Sequence, residues 1–146
     1  MPGEAPVWQA LRNHVFDQPK DRAERIENVA GSGNPDVNYC IEGCEGWIEL
    51  KAPVEPVRRT SKLFGQNHKL TQSQKNWMLE QHRSGGRCFI FVGTNRQWIL
   101  LPSYPLAERL NDLSVLQVQK EALWIAQKGC VRWSDASLAI RTHLKS

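Results

Sequence analysis

Pro35-Asp36-Val37-Asn38-Tyr39-Cys40-Ile41-Glu42-Gly43-Cys44-Glu45-Gly46-Trp47-Ile48-Glu49-Leu50-Lys51 is the stretch on which the fold turns. Val37, Tyr39 and Ile41 alternate with Asp36, Asn38 and Cys40, and beyond the turn Ile48 and Leu50 alternate with Trp47, Glu49 and Lys51. Period-two alternation on both sides of a short turn predicts a β-hairpin, apolar on one face and polar on the other. Two even loop lengths fit. A two-residue loop at Glu42-Gly43 sets Asp36 opposite Glu49, and a four-residue loop at Glu42–Glu45 sets Asp36 opposite Lys51. Opposed residues point to the same face. Either loop therefore gathers Asp36, Glu49 and Lys51 on the face away from Val37, Tyr39, Ile41, Ile48 and Leu50.

Two carboxylates about 5 Å apart across a ladder repel by about 1 kcal/mol in water, and by several times that where water is scarce. A cation between them removes the conflict, and hard oxygen ligands with room for water suit Mg²⁺ or Mn²⁺. Lys51 would then hold a water or a phosphate oxygen beside Glu49. The plainer alternative is a surface hairpin on which Lys51 neutralises two acids.

Upstream, Val7, Trp8, Leu11 and Val15 have helical spacing, Pro6 suits a first turn, and Asp17-Gln18-Pro19 ends the helix. Residues 23–29 alternate weakly as a short strand, and Gly31–Pro35 is a loop. Downstream, residues 52–69 carry Pro53, Pro56 and many charges and read as a loop or flap. A helix opens at Thr71-Gln72-Ser73-Gln74 and closes by Arg83, before Gly85-Gly86. Cys88–Val92 and Gln97–Leu101 read as strands, and the chain from about Pro105 reads as helical, with 114–119 ambiguous. A mixed α/β sheet flanked by helices is the natural packing for this order.

The chain has 146 residues, 40% of them hydrophobic and 23% charged, which suits one globular domain and excludes a disordered or coiled-coil protein. Its apolar runs are strand-length, so no membrane span is expected, and Met1–Pro6 has neither the basic nor the apolar stretch of a secretion signal. A cytoplasmic protein is the expectation, with Cys40, Cys44, Cys88 and Cys130 as free, partly buried thiols. Charge is unevenly spread. Residues 1–53 hold five basic and nine acidic groups, residues 54–96 hold eight and two, and residues 97–146 hold six and four. A basic middle beside an acidic first third suggests a polyanion held against carboxylates, although a solvated basic face would look the same.

Pro35-Asp36 followed thirteen residues later by Glu49-Leu50-Lys51 resembles the PD-(D/E)XK nuclease signature. The flanks Gly33-Asn34-Pro35-Asp36-Val37 and Gly46-Trp47-Ile48-Glu49-Leu50-Lys51 look like the small phage and bacterial members, among them Holliday-junction-resolvase-like and virus-type replication-repair nucleases. The resemblance covers about residues 4–101. It implies a restriction-endonuclease-like αβββαβ core with a helical C-terminal extension from about 102, forming a single nuclease domain over 1–146. It also implies that Asp36, Glu49 and the main-chain carbonyl of Leu50 hold Mg²⁺, with Mn²⁺ substituting, and that Lys51 is the catalytic lysine. Glu4 resembles the acid that many members carry on the first helix, with Glu24 and Glu27 as rivals. Gln74 resembles the glutamine that several members aim at the site, but Thr71-x-x-Gln74 is equally a helix capping box.

The expected function is metal-dependent hydrolysis of DNA in a bacterial or phage-infected cytoplasm, with branched or junction DNA favoured because no sequence-reading domain is visible. Arg58, Arg59, Lys62, His68 and Lys69 would contact the phosphate backbone. A nicking, repair or packaging-associated nuclease of the same fold is one alternative, and a non-catalytic DNA-binding protein is another. A homodimer is expected, because resolving a junction cuts two strands and one core offers one site. Leu106, Leu110 and Leu113, with Val115, Val118, Ala122 and Ile125 if helical, would supply its interface together with Trp124 and Trp133.

Overall fold

A computed structural model describes residues 3–26, 33–65 and 68–143. Helix α1 (Ala5–Ala10) runs into one π-helical segment, Leu11–Val15, which ends at Phe16. Six strands follow, β1 (Arg22–Arg25), β2 (Val37–Ile41), β3 (Cys44–Lys51), β4 (Cys88–Gly93), β5 (Gln97–Pro102) and β6 (Trp124–Gln127). The other helices are α2 (Gln72–Arg83), α3 (Val115–Glu121) and α4 (Trp133–Thr142), and two short 3₁₀ turns cover Leu106–Glu108 and Leu110–Asp112. The strands form one sheet in chain order, antiparallel everywhere except between β3 and β4. That parallel step needs a crossover, and α2 supplies it. The expected mixed sheet flanked by helices is present.

The hairpin takes the two-residue loop. Val37 faces Ile48 and Ile41 faces Cys44, and Glu42 and Gly43 both have positive φ, +52° and +77°. Two left-handed residues make a type I′ turn, whose twist matches that of the strands it joins. The same register carried back one step sets Asp36 against Glu49.

Both faces of the sheet are covered, each by its own apolar cluster. Val37, Tyr39, Ile41, Ile48 and Leu50 pack with Val7, Leu11 and Val15 of the first helix and with Ala136 and Ile140 of α4. Ile90, Val92, Ile99 and Leu101 pack on the opposite face with Met78 of α2, Leu106, Leu110, Val115 and Val118. The end of the hairpin's polar face that bears Glu49 and Lys51 is therefore interior, beside α2, while Glu45 near the turn stays exposed.

The C-terminal third differs from the sequence reading in two ways. Residues 124–127 form β6, antiparallel to β5, where helix was expected. Four residues carry too few alternations to outweigh the helical pattern around them. In addition, Leu106, Leu110, Leu113, Val115 and Val118 are all buried against this chain's own sheet. Trp133 stacks near Trp98 and Trp124, with centroids 5.3 and 5.7 Å away. The five leucines and valines, offered as part of a dimer interface, are thus interior packing, whereas Ala122, Trp124 and Trp133 are half-buried and Ile125 is exposed.

Residues 27–29 of the weak strand, with Glu27, lie outside the described residues, and so do 31, 32, 66 and 67 of the two loops. Cys40, Cys44 and Cys88 are half-buried free thiols and Cys130 is exposed. Among the described residues no helix is long and apolar enough to cross a membrane.

Candidate active site

Lys51 ends β3 and Asp36 precedes β2, so both lie at the sheet end where the crossover to α2 begins. Glu49 is 2% exposed and Lys51 5% exposed. β3 is a central strand covered on both faces, which explains how two charged side chains came to be buried. Lys51 Nζ lies 3.9 Å from Glu49 Oε2 and donates to the Lys69 carbonyl and to Gln74 Oε1, both at 3.3 Å. Gln74 Nε2 donates to Glu49 Oε2 at 3.2 Å.

Gln74 makes both the cap contacts and contacts to Glu49 and Lys51. Thr71 Oγ1 accepts from the Gln74 N–H at 3.1 Å, and Gln74 Oε1 accepts from the Thr71 N–H at 2.9 Å, completing the capping box of α2. The same amide group reaches Glu49 and Lys51 with its remaining capacity.

Asp36 Oδ2 accepts the Leu50 N–H at 2.9 Å, which ties the acid to the strand that bears Glu49. The ladder between β2 and β3 ends at Val37 against Ile48, and the same register extended two steps would bring Pro35 opposite Leu50. Proline has no N–H, so the Leu50 carbonyl receives no ladder bond from that position. Gly33 has φ +73°, and a Cβ there would lie 2.4 Å from the Ser73 carbonyl oxygen. The loop that delivers Asp36 therefore runs hard against the first turn of α2, and only glycine fits that approach.

Glu49 is held well above its ordinary carboxylate range, first by burial and then by the Asp36 carboxylate, with Lys51 opposing, and with a hydrogen bond to Asp36 and then Glu4 adding smaller pushes. With both acids ionised, its Oε1 is buried with no hydrogen-bond partner. Glu4 is also pushed up, by burial and then by Asp36, while Lys51 and Arg25 pull it down. Gly3 abuts Ala52, with a Cβ on Gly3 only 3.3 Å from the Ala52 Cβ, so the start of α1 sits at the end of β3. The structure thus brings Glu4 into the field of Asp36, Glu49 and Lys51. Glu24 is not part of it; its side chain is 62% exposed and pairs with Arg22.

The basic residues of the 52–69 segment divide. His68, at φ +66°, lies near enough to Lys51 for that charge, after burial, to lower its pKa. It lines a cleft of about 290 Å³ with Lys62. Lys62 is already paired with Asp112 at 3.5 Å, and Lys69 is exposed. Arg58 is exposed, and Arg59 lines a separate cavity with Arg96 and Lys128.

Sequence reading missed a buried polar cluster beside this segment. Glu55 Oε1 accepts from Thr94 Oγ1 at 2.8 Å and from Gln97 Nε2, and the Glu55 N–H donates to Asn95 Oδ1 at 2.9 Å. The partners are about 40 positions away in the chain and form no motif, so no local pattern marks them.

Among the described residues no three His, Cys, Asp or Glu side chains converge closely enough to hold a metal by themselves. The oxygen donors at hand are Asp36, Glu49 and the Leu50 carbonyl.

No family model matches the chain, and no curated protein does. Among solved structures, it is similar to Hjc of Archaeoglobus fulgidus, a Holliday junction resolvase, with a TM-score of 0.43 and 16% identity over 68% of this chain and 73% of that one.

Proposed function

We propose that the protein is a divalent-metal-dependent DNA endonuclease that hydrolyses phosphodiester bonds, acts on branched or junction DNA, and works in the cytoplasm. The observation that carries this reading is Glu49. Glu49 is buried beside a second acid, Asp36, with which it can share a proton; with both ionised its Oε1 has no donor, and the pair is braced by a lysine and an amide. Such an oxygen left unpaired costs on the order of 1–3 kcal/mol or more. A bound cation would remove that penalty.

The donor set fits Mg²⁺, which is typically bound through one or two carboxylates plus substrate phosphates, keeping several waters, and not in an all-protein cage. Asp36, Glu49 and the Leu50 carbonyl would hold it, with Mn²⁺ able to substitute. When bound, the cation supplies Lewis-acid polarisation of the phosphate and a more acidic water.

The chain's own residues do the positioning. An ammonium has three N–H groups, and Lys69 and Gln74 accept two of those of Lys51. The third is left to orient a water or to bond a phosphate oxygen as negative charge builds there. Gln74 fixes Glu49 and Lys51 relative to each other, so neither has to reorganise when substrate arrives. Glu4 stands ready as a further acid at the rim. Lys69 and His68, beside Lys51, and the exposed Arg58 would contact the phosphate backbone, and contacts of this kind position a backbone without reading its bases.

We favour junction DNA because the described residues form a sheet with covering helices, whose basic side chains would grip phosphate without reading bases. Cutting two strands requires two sites, so we propose a C2 pair that meets elsewhere than at the interior leucine stripe. Nicking of supercoiled plasmid in Mg²⁺ against EDTA tests the nuclease, and a four-way junction against linear duplex tests the preference. Absence of Mg²⁺-dependent nicking on every DNA would overturn the reading.

A further inference from the structure

The end of the sheet that carries Glu49 and Lys51 continues through the end of β4 to the start of β5 and the end of β6, where Gln97 pairs with Gln127. There, at the same end of the sheet, lies a cavity of about 360 Å³ lined by Arg59, Arg96, Lys128, Gln119, Gln127 and Glu55, among others. Its lining is built from four separate parts of the chain. The Glu55 cluster pins the 53–59 segment to the β4–β5 turn, and Gln119 of α3 donates to Gln97 Oε1 at 3.0 Å. The Leu116 N–H donates to the Arg59 carbonyl at 3.2 Å, and the Lys128 N–H to the Arg96 carbonyl at 2.9 Å. Lys128 Nζ sits 4.4 Å over the Trp98 ring.

The cavity is short of negative charge. Glu55 is its only carboxylate, and that group is turned onto Thr94 and Gln97. Among the described residues no ion pair involves Arg59, Arg96 or Lys128. Arg59 and Arg96 beside the cavity, with Lys128 at the sheet edge where its ammonium rests on Trp98, together with amide donors and no ion-pair partner, suit phosphate oxygens. Strands lie about 4.8 Å apart, so β5 and β6 stand on the order of 10–14 Å from β3. At ~3.4 Å of rise per nucleotide of one strand, that is about three or four steps along B-DNA.

We infer that Arg59, Arg96 and Lys128 form a second phosphate grip, holding the DNA backbone three or four nucleotides from the bond that is cut. This rests on the nuclease reading for which bond is cut, but the grip itself is a binding property.

The test is anisotropy of a labelled duplex in EDTA, titrated with KCl, comparing wild type with Arg96→Ala/Lys128→Ala. Both side chains are exposed, and near-ultraviolet dichroism checks the fold. The slope of log K against log salt is expected to fall by up to ~1.8, about 0.9 for each lost contact. Affinity should recover in Arg96→Lys/Lys128→Arg. Unchanged slope and affinity in the alanine pair would overturn the inference. Calorimetry with inorganic phosphate separates the two sources of the ligand chemistry. Phosphate binding lost in the variant while DNA binding stays intact would assign the cavity to a small anion and also overturn it. Mg²⁺-dependent nicking separates the two claims. A reduced slope in a protein that nicks nothing would sink the nuclease and support the grip, and nicking with an unchanged slope would do the reverse.

Discussion

Gln74 donates to Glu49 across 3.2 Å from the third residue of α2, so the helix cap and the buried acid share one side chain. The link is specific in direction. The amide nitrogen faces the carboxylate, and the amide oxygen faces Lys51 and the Thr71 N–H. A glutamine is the residue type that can serve both, because it offers a donor and an acceptor on one rigid plane.

Cap and clamp can be separated. Thr71→Ala removes the hydroxyl that accepts the Gln74 N–H but leaves the amide free to hold Glu49 and Lys51. It should cost about 1 kcal/mol of stability, roughly 2–4 °C in Tm, with cleavage near wild type. Gln74→Ala should cost a similar amount and also lower cleavage about 10²-fold, through misplacement of Lys51. Equal cleavage in the two variants would mean that Gln74 acts only as a cap.

Asp36→Asn and Glu49→Gln keep shape and hydrogen-bonding capacity while removing the charge. Each should abolish Mg²⁺-dependent cleavage and leave DNA binding equal or tighter, because a repulsive charge near phosphate is gone. Near-wild-type nicking by either variant would refute the assignment of that acid.

The pH dependence of stability follows from the raised acids. Glu49 and Glu4 ionise less readily in the folded protein than at their ordinary value of 4.5. The folded state therefore binds more protons than the unfolded state above that pH. In metal-free protein, stability should be fully present below about 4.5 and fall as pH rises through the folded pKa values. Glu49→Gln should flatten that decline. Mg²⁺ at about a hundred times its Kd should restore roughly 2.7 kcal/mol to wild type at neutral pH, with the variant responding far less. Melting curves in EDTA and in Mg²⁺ would show it. Identical profiles for the two proteins would refute both the shift and the metal role.

Much of this was legible because parity is a strict constraint. Once Val37, Tyr39, Ile41, Ile48 and Leu50 share a face, Asp36, Glu49 and Lys51 share the other under either even loop, and the register observed is one of the two. The Thr71–Gln74 cap was likewise local and visible. The burial of Glu49 and Lys51 was not, because it depends on α2 crossing over β3. Nor was β6, at four residues. The Glu55–Thr94–Gln97 cluster was hidden for a different reason, since it is a tertiary arrangement of residues that are individually ordinary in loops and turns.

Light scattering would settle the number of copies at work. With junction DNA added and its mass allowed for, the protein should contribute twice 16.7 kDa. A contribution of one chain would refute the C2 pair. Because the leucine stripe is interior, Leu110→Ala should destabilise the monomer, by about 2–5 kcal/mol, and leave the association untouched.

The parallel pairing of β3 with β4 also orders events as the chain folds. The hairpin that brings Asp36 to Glu49 closes over a two-residue turn, among the fastest long-lived contacts a chain of this kind makes. Gln74 arrives only when the crossover has closed, 25 residues downstream of Glu49, and such non-local pairing is slow. The two acids are thus brought together early with Lys51, on the same strand, as the cation beside them, and the amide that orients Lys51 and Glu49 arrives later. Early in folding the hairpin carries two acids against one base, and protons or cations in solution should speed its formation by easing the charge left over.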